Sequence, residues 1–223
     1  MKKITLFAFL NLFVFNFAFG QLDKTLIATL DTIHQDDQRY RQQLWDIIER
    51  YGRTSEEVEA HWRIIRHQDS INLIRIEKIL TEHGWLGADV IGEEGNRTLF
   101  LVIQHSNLET WEKYLPMMRE AVSKGNARAS DFAMLQDRLA LESGGKQIYG
   151  TQIGIDPKTG IRHVLPLIDP ENVDKRRAKV GLMSMYLATG GTWDVEEYKR
   201  NLPELMEILR LAAEEHQRRQ QNK

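Results

Sequence analysis

The sequence predicts a mainly α-helical protein carrying one small β-hairpin, an α+β fold built as a helical bundle that opens with an antiparallel helix pair. Apolar residues recur at alternating steps of three and four through the first third of the chain, the helical period. A segment near residues 147–168 instead reads as two short runs around a cluster of turn residues. With Cys 0, no disulfide can hold the fold, so a hydrophobic core must. A chain of 223 residues is long enough to bury one.

The first element is expected to be a leader. Lys2 and Lys3 precede an apolar run from Ile4 to Phe19, and Ala18-Phe19-Gly20 places small residues where a signal peptidase reads them. Residues 1–20 are therefore predicted to be a signal peptide cleaved before Gln21, leaving no stable membrane anchor, since the run is short of the roughly 20 residues a span requires. Its removal takes the formal charge from −2 to −4, because only Lys2 and Lys3 are lost. The remainder, residues 21–223, is predicted to be one domain, exported to the periplasm or the medium. Its mild acidity excludes the basic footprint of a nucleic-acid binder.

Leu26, Leu30, Ile33, Tyr40, Leu44, Ile47 and Tyr51 mark a first helix from Asp23, stopped by Gly52. Thr54 and Glu57 read as a capping box for a second helix, with Val58, Trp62, Ile65, Ile76 and Ile79 on one stripe as far as His83-Gly84. So short a turn forces an antiparallel hairpin, in which Asp37 and Asp69, each sixteen residues from position 53, stand at one height. Both occupy places in the apolar stripes, as does Asn72.

A glycine-rich stretch then leads to Leu99-Phe100-Leu101-Val102-Ile103, apolar all round and so a buried helix, finishing in Gln104-His105. Asn107 is expected to cap a helix through Val122, and Ser130 one that carries Phe132, Leu135 and Leu139. Two strands, Gln147 to Ile155 and Ile161 to Ile168, flank the breakers Asp156 to Gly160. Alternation along the first puts Gln147, Tyr149 and Thr151 on one face, and Gly150 allows a close approach. Asp169-Pro170 opens a short helix to Val180, and a charged helix starting near Asp194 or Pro203 ends the chain.

The order Gln104-His105 with Trp111 and Tyr114-Leu115, then Leu135 with Asp137-Arg138, then Gln147-Ile148-Tyr149-Gly150-Thr151-Gln152, then Arg176-Arg177 before Gly181-Leu182 resembles a family of bacterial, often exported, proteins of unknown function. The resemblance spans roughly residues 35–190 and implies no activity.

Chemistry is sought where polar residues interrupt apolar patterns. Two carboxylates close together in a low dielectric cannot both ionise easily, so Asp37 and Asp69 are candidates for acid/base work, with Asn72 beside them. His105, ending a buried helix, is a further acid/base candidate, set against capping of that helix end. Gln104, Asp137, Arg138, Tyr149, Gln152, Arg176 and Arg177 are candidate ligand-binding residues. The competing expectation is that Arg138, Arg176 or Arg177 pairs with the aspartates in a packing network.

No metal ligand set is predicted, because the seven histidines lack helical ligand spacing and thiolates are absent. A hard cation among Asp37, Asp69 and Asn72 is the weakest of the site readings. Neither a Gly-x-Ser-x-Gly elbow nor a phosphate-cradling glycine loop occurs, and no cofactor is expected. The sequence thus points to an exported ligand-binding or structural module with a buried Asp, Arg, His and Gln network and a small molecule as its potential partner. The rival is a hydrolase-like enzyme using His105 or the Asp37 and Asp69 pair. A third surface, on the last helix at Leu205, Met206, Leu209 and Leu211, is a candidate for a protein partner.

Overall fold

The computed structural model describes residues 22–155 and 160–221. The expected leader lies outside these residues, as does the expected turn except for Gly160.

Helix α1 (Lys24–Tyr51) begins where the Asp23 carboxylate accepts from the amides of Thr25 and Leu26, each at 3.0 Å, and ends at Gly52. Gly52 adopts φ 84°, a conformation that favours glycine at a helix end. Helix α2 (Glu56–His83) is capped by Ser55, one residue after the Thr54 expected from the sequence. Its first turn carries Glu56, Glu57 and Glu59 at the positive end of the helix dipole. The two helices form the predicted antiparallel hairpin, burying Leu30, Ile33, Ile65 and Ile76 along their seam.

Helix α3 (Ala88–Gln104) starts well before the apolar run at Leu99. The glycine-rich stretch read as a connection is helical on either side of Gly92, whose φ 73° and ψ 165° break the helix. Glycine propensity is overridden here by packing. A Cβ at Gly95 would stand 3.1 Å from Leu30 Cδ1, so the missing side chain lets α3 lie close against α1.

Helix α4 (Leu108–Ser123) is capped by Asn107 as expected and runs through Pro116. Helix α5 (Ala129–Glu142) starts after Arg128, so Ser130 lies inside it and caps nothing. The main core gathers Leu30, Ile76, Ile91, Leu99, Ile103, Met118 and Leu135 from these five helices, all fully buried. Each such side chain contributes about 1.5–3 kcal/mol on burial.

The strands are far shorter than predicted. β1 (Ile153–Ile155) and β2 (Arg162–Val164) pair antiparallel, Gly154 opposite His163, and a single bridge joins Gln147 to Leu167. Residues 148–152 are not a strand, so the predicted alternation of Gln147, Tyr149 and Thr151 does not hold. A 3₁₀ turn (Pro170–Asn172) precedes helix α6 (Val173–Lys179). Asp169 sits before it with φ 44° and gives no backbone cap; its carboxylate accepts from Asn172 and Arg176 instead.

Helix α7 (Met185–Ala188) has no counterpart in the sequence reading. Helix α8 (Val195–Gln221) begins at the expected Asp194, whose carboxylate accepts from the Glu197 amide at 2.7 Å. Val164, Leu167, Val173 and Met185 make a second, smaller core with Trp193 and Tyr198 packed on it. None of the described helices is long and apolar enough to cross a membrane.

Candidate functional site

The sequence candidates sort into two groups, one on each of two faces of α5. Helix geometry does the sorting, since the adjacent Asp137 and Arg138 project about 100° apart.

Asp137, fully buried, faces the segment 148–151. Its carboxylate accepts from the amides of Ile148 (2.6 Å), Tyr149 (3.0 Å) and Thr151 (3.0 Å) and from the Thr151 hydroxyl (2.9 Å). The chain therefore wraps around a carboxylate instead of extending as a strand. Arg177, also buried, donates to the carbonyls of Met183 (2.6 Å) and Tyr149 (2.7 Å), closing the wrap from the far side. Burial pushes the Arg177 guanidinium below its usual range, a cost offset by Asp174 and Asp137.

Arg176 donates to the carbonyls of Ile148, Ile168 and Asp169. Gln147 bonds both ways with the backbone of Gln152, at 3.1 and 2.9 Å, and with Leu165 at 2.7 Å, while the Gln152 amide reaches the Thr151 hydroxyl at 3.0 Å. Gly150, at φ 68°, does face a close neighbour: a Cβ there would lie 2.9 Å from the Met185 sulfur. The approaching group is the protein's own methionine. Arg177 thus spends its donors on the backbone, Arg176 on the backbone and the Asp169 carboxylate, and Gln152 on the Thr151 hydroxyl and the Met134 carbonyl; neither arginine bonds Asp37 or Asp69. Tyr149 contributes its amide to Asp137 and is half-buried.

The second group lies where the middle of the α1/α2 hairpin meets the end of α3 and the faces of α4 and α5. Asp37 and Asp69 do come together here, and His105 joins them. A ring nitrogen and two carboxylate oxygens, one from each residue, lie within 4.8 Å of one another. The partner the sequence reading missed is Arg41. It stands one turn after Asp37 on α1, its Nε 3.6 Å from the Asp37 carboxylate, and it reaches across the hairpin to Asp69 at 2.5 Å.

Asp37 accepts from His105 Nδ1 at 3.0 Å and from the Gln38 amide at 2.7 Å. Burial raises its pKa, but the hydrogen bond and charge of His105 and the charge of Arg41 outweigh this and hold the carboxyl below its ordinary value. Asp69 moves the other way. Burial pushes it up, the Arg41 charge and hydrogen bond oppose this, and the neighbouring Asp37 adds to the rise. The two carboxyls therefore move in opposite directions, with burial the largest cause of the rise at Asp69.

An ionised carboxylate only accepts, so His105 donates to Asp37 through Nδ1, and the other ring nitrogen is Nε2. That nitrogen has no hydrogen bond among the described residues, and the side chain is 18 % exposed.

Arg138 approaches from α5, its guanidinium carbon 5.6 Å from the centre of the Trp111 ring. Trp111 is itself fixed by a bond from its indole N–H to the Ile103 carbonyl at 2.9 Å. Burial pushes Arg138 below its usual range; Glu142 counters this, and the like charge of Arg41 deepens it. Asn72, fully buried one turn beyond Asp69, accepts from Gln68 at 3.1 Å. Gln104, half-buried, precedes His105.

Among the described residues four buried side-chain nitrogens make no hydrogen bond, and three of them belong to this group: Asn72 Nδ2, Arg138 Nε and Arg41 Nε, the last still ion-paired with the Asp37 carboxylate at 3.6 Å. Since most buried polar groups in folded proteins are satisfied, the Asn72 and Arg138 donors, which have no acceptor, mark this group. The acids and His105 offer the donor atoms of a cation site, but the Arg41 guanidinium already occupies the Asp69 carboxylate, which disfavours a cation there.

The chain belongs to the family of unknown function DUF6624, whose model matches residues 22–204. No curated protein and no solved structure matches the chain.

Proposed function

We propose that this is an exported protein that binds a small molecule through an acceptor-rich group, a carboxylate or another oxyanion, at the centre formed by Arg41, Asn72, His105 and Arg138. The observation that carries the reading is the concentration of orphaned buried donors there. Donors without acceptors ask for a ligand that supplies oxygen lone pairs, and a guanidinium held on an indole face is already oriented to meet one. The basic, apolar and small-residue order of residues 1–20 supports export.

The test is a titration of labelled protein with succinate and with inorganic phosphate, followed by the side-chain NMR signals of histidine and arginine. The His105 ring and the Arg138 guanidinium are expected to shift together with one dissociation constant. Shifts confined to surface lysines, or none, would overturn the reading.

A second reading, proton transfer at the same centre, is favoured by one observation: His105 bonds Asp37 through Nδ1 and leaves Nε2 without a hydrogen bond among the described residues. If it holds, hydrolysis of the probe ester p-nitrophenyl acetate saturates with wild-type protein and is lost in His105→Ala.

A further inference from the structure

A cleft of about 450 Å³ lies well away from the polar centre, between the β1/β2 hairpin on one side and α7 with the first turns of α8 on the other. Its size is that of a small-molecule site. From its composition we infer that it is a second, independent binding site, for a neutral sugar.

Its aromatic wall is preorganised. The rings of Trp193 and Tyr198 pack 5.1 Å apart at 42°. The Tyr198 hydroxyl is locked, accepting from the Leu167 amide at 2.8 Å and donating to the Leu165 carbonyl at 3.4 Å. An aromatic face held in place suits the apolar C–H face of a sugar ring, and the buried Val164 and Leu205 close the floor.

The polar rim divides into groups already engaged and groups that are not. Asp194 caps α8, and the hydroxyls of Thr189 and Thr192 donate to the carbonyls of Met185 and Thr189. Arg162, His163, Glu197 and Asn201 also line the cleft, and no side-chain hydrogen bond or ion pair engages them among the described residues. These four are planar groups that mix donors with acceptors, so they match vicinal hydroxyls, each of which both donates and accepts.

Charge narrows the class. Arg162 is opposed by Glu197 and Asp194, so with His163 neutral the rim carries a formal charge of only −1, which disfavours anions. An anion of the kind proposed for the polar centre would meet Glu197, which separates the two specificities.

The experiment uses the full chain, ¹⁵N-labelled, with glucose, N-acetylglucosamine and maltose at about 20 mM, enough to load a millimolar site. The expected result is a saturable shift of the Trp193 indole signal and of the backbone amides around the cleft by at least one of these sugars, with the amide shifts reporting binding weakened about tenfold or more in Trp193→Ala. In Asn201→Ala and Glu197→Gln, both exposed positions that leave the fold intact, binding weakens as well. Arg138→Met leaves it unchanged, so this site stands or falls apart from the first. No shift with any of the three sugars overturns the inference, as does unaltered binding in the Asn201 and Glu197 variants. A shift by tryptophan or leucine instead of sugar, with Arg162 and Glu197 taking the zwitterion, also overturns it.

Discussion

Asp37 and Asp137 are both buried aspartates near arginines, and they differ in how completely their surroundings are paired. Around Asp137 three backbone amides and a hydroxyl converge on the carboxylate, Arg177 spends its donors on carbonyls, and Arg176 spends its own on carbonyls and the Asp169 carboxylate. Around Asp37 the carboxylates are paired as well, yet Asn72 and Arg138 keep buried donors unused. The first arrangement is a staple that shapes residues 147–177. The second retains the capacity to bond something else. Equal polarity and equal burial therefore carry opposite meanings, and the count of unspent donors tells them apart.

Removing the two aspartates sharpens this contrast first. Asp137→Ala orphans four donors at once and is expected to cost about 4 kcal/mol, read as a fall in the urea midpoint at unchanged slope. Asp37→Asn is expected to cost about 2 kcal/mol near neutral pH. Its pH dependence has a definite sign. With the folded-state pKa of Asp37 depressed, its ionisation stabilises the protein above the ordinary carboxylate pKa, and that contribution is lost as pH falls through the depressed value. Urea titrations of wild type and Asp37→Asn should therefore differ near neutrality and converge in acid.

Arg138→Met separates stability from binding. It replaces a half-buried cation whose Nε lacks an acceptor, so the variant is expected to be as stable as wild type or more so by about 1 kcal/mol, while losing the response to succinate. Asp69→Asn should have the smallest effect. The raised pKa means that ionising Asp69 costs stability as pH rises through that value, and this offsets the lost pairing with Arg41. A change of under about 1 kcal/mol near neutral pH is expected by thermal unfolding. A large loss there would make the two aspartates equivalent and break the comparison.

Much of the polar centre was legible in the sequence. The symmetry of a tight helix hairpin placed Asp37 opposite Asp69, and two acids in apolar stripes announced a buried pair. Arg41 was missed because an arginine four residues after an aspartate looks like an ordinary solvated helix pair. The signal was available, since four residues along a helix from a buried Asp37 lies on the same face.

The wrap around Asp137 was not legible. Residues 147–155 carry a strand-like composition, and nothing local shows that a carboxylate ten or more positions earlier captures their amides. The start of α3 was hidden for a related reason: Gly95, which argues against a helix locally, is required by the close approach to Leu30. Helix α7, four residues from Met185 to Ala188, is too short to show a period.

The most direct test of the central claim is the melting temperature of wild type and Arg138→Met, each with and without succinate. Saturating ligand at about a hundredfold its dissociation constant adds roughly 2.7 kcal/mol, a rise of several degrees in a protein of this size. The account predicts that rise in wild type and none in Arg138→Met, whose melting temperature without ligand is equal or higher. An equal rise in both proteins, or a variant that melts far below wild type, would contradict it and make the Asp37 cluster a packing network like that around Asp137.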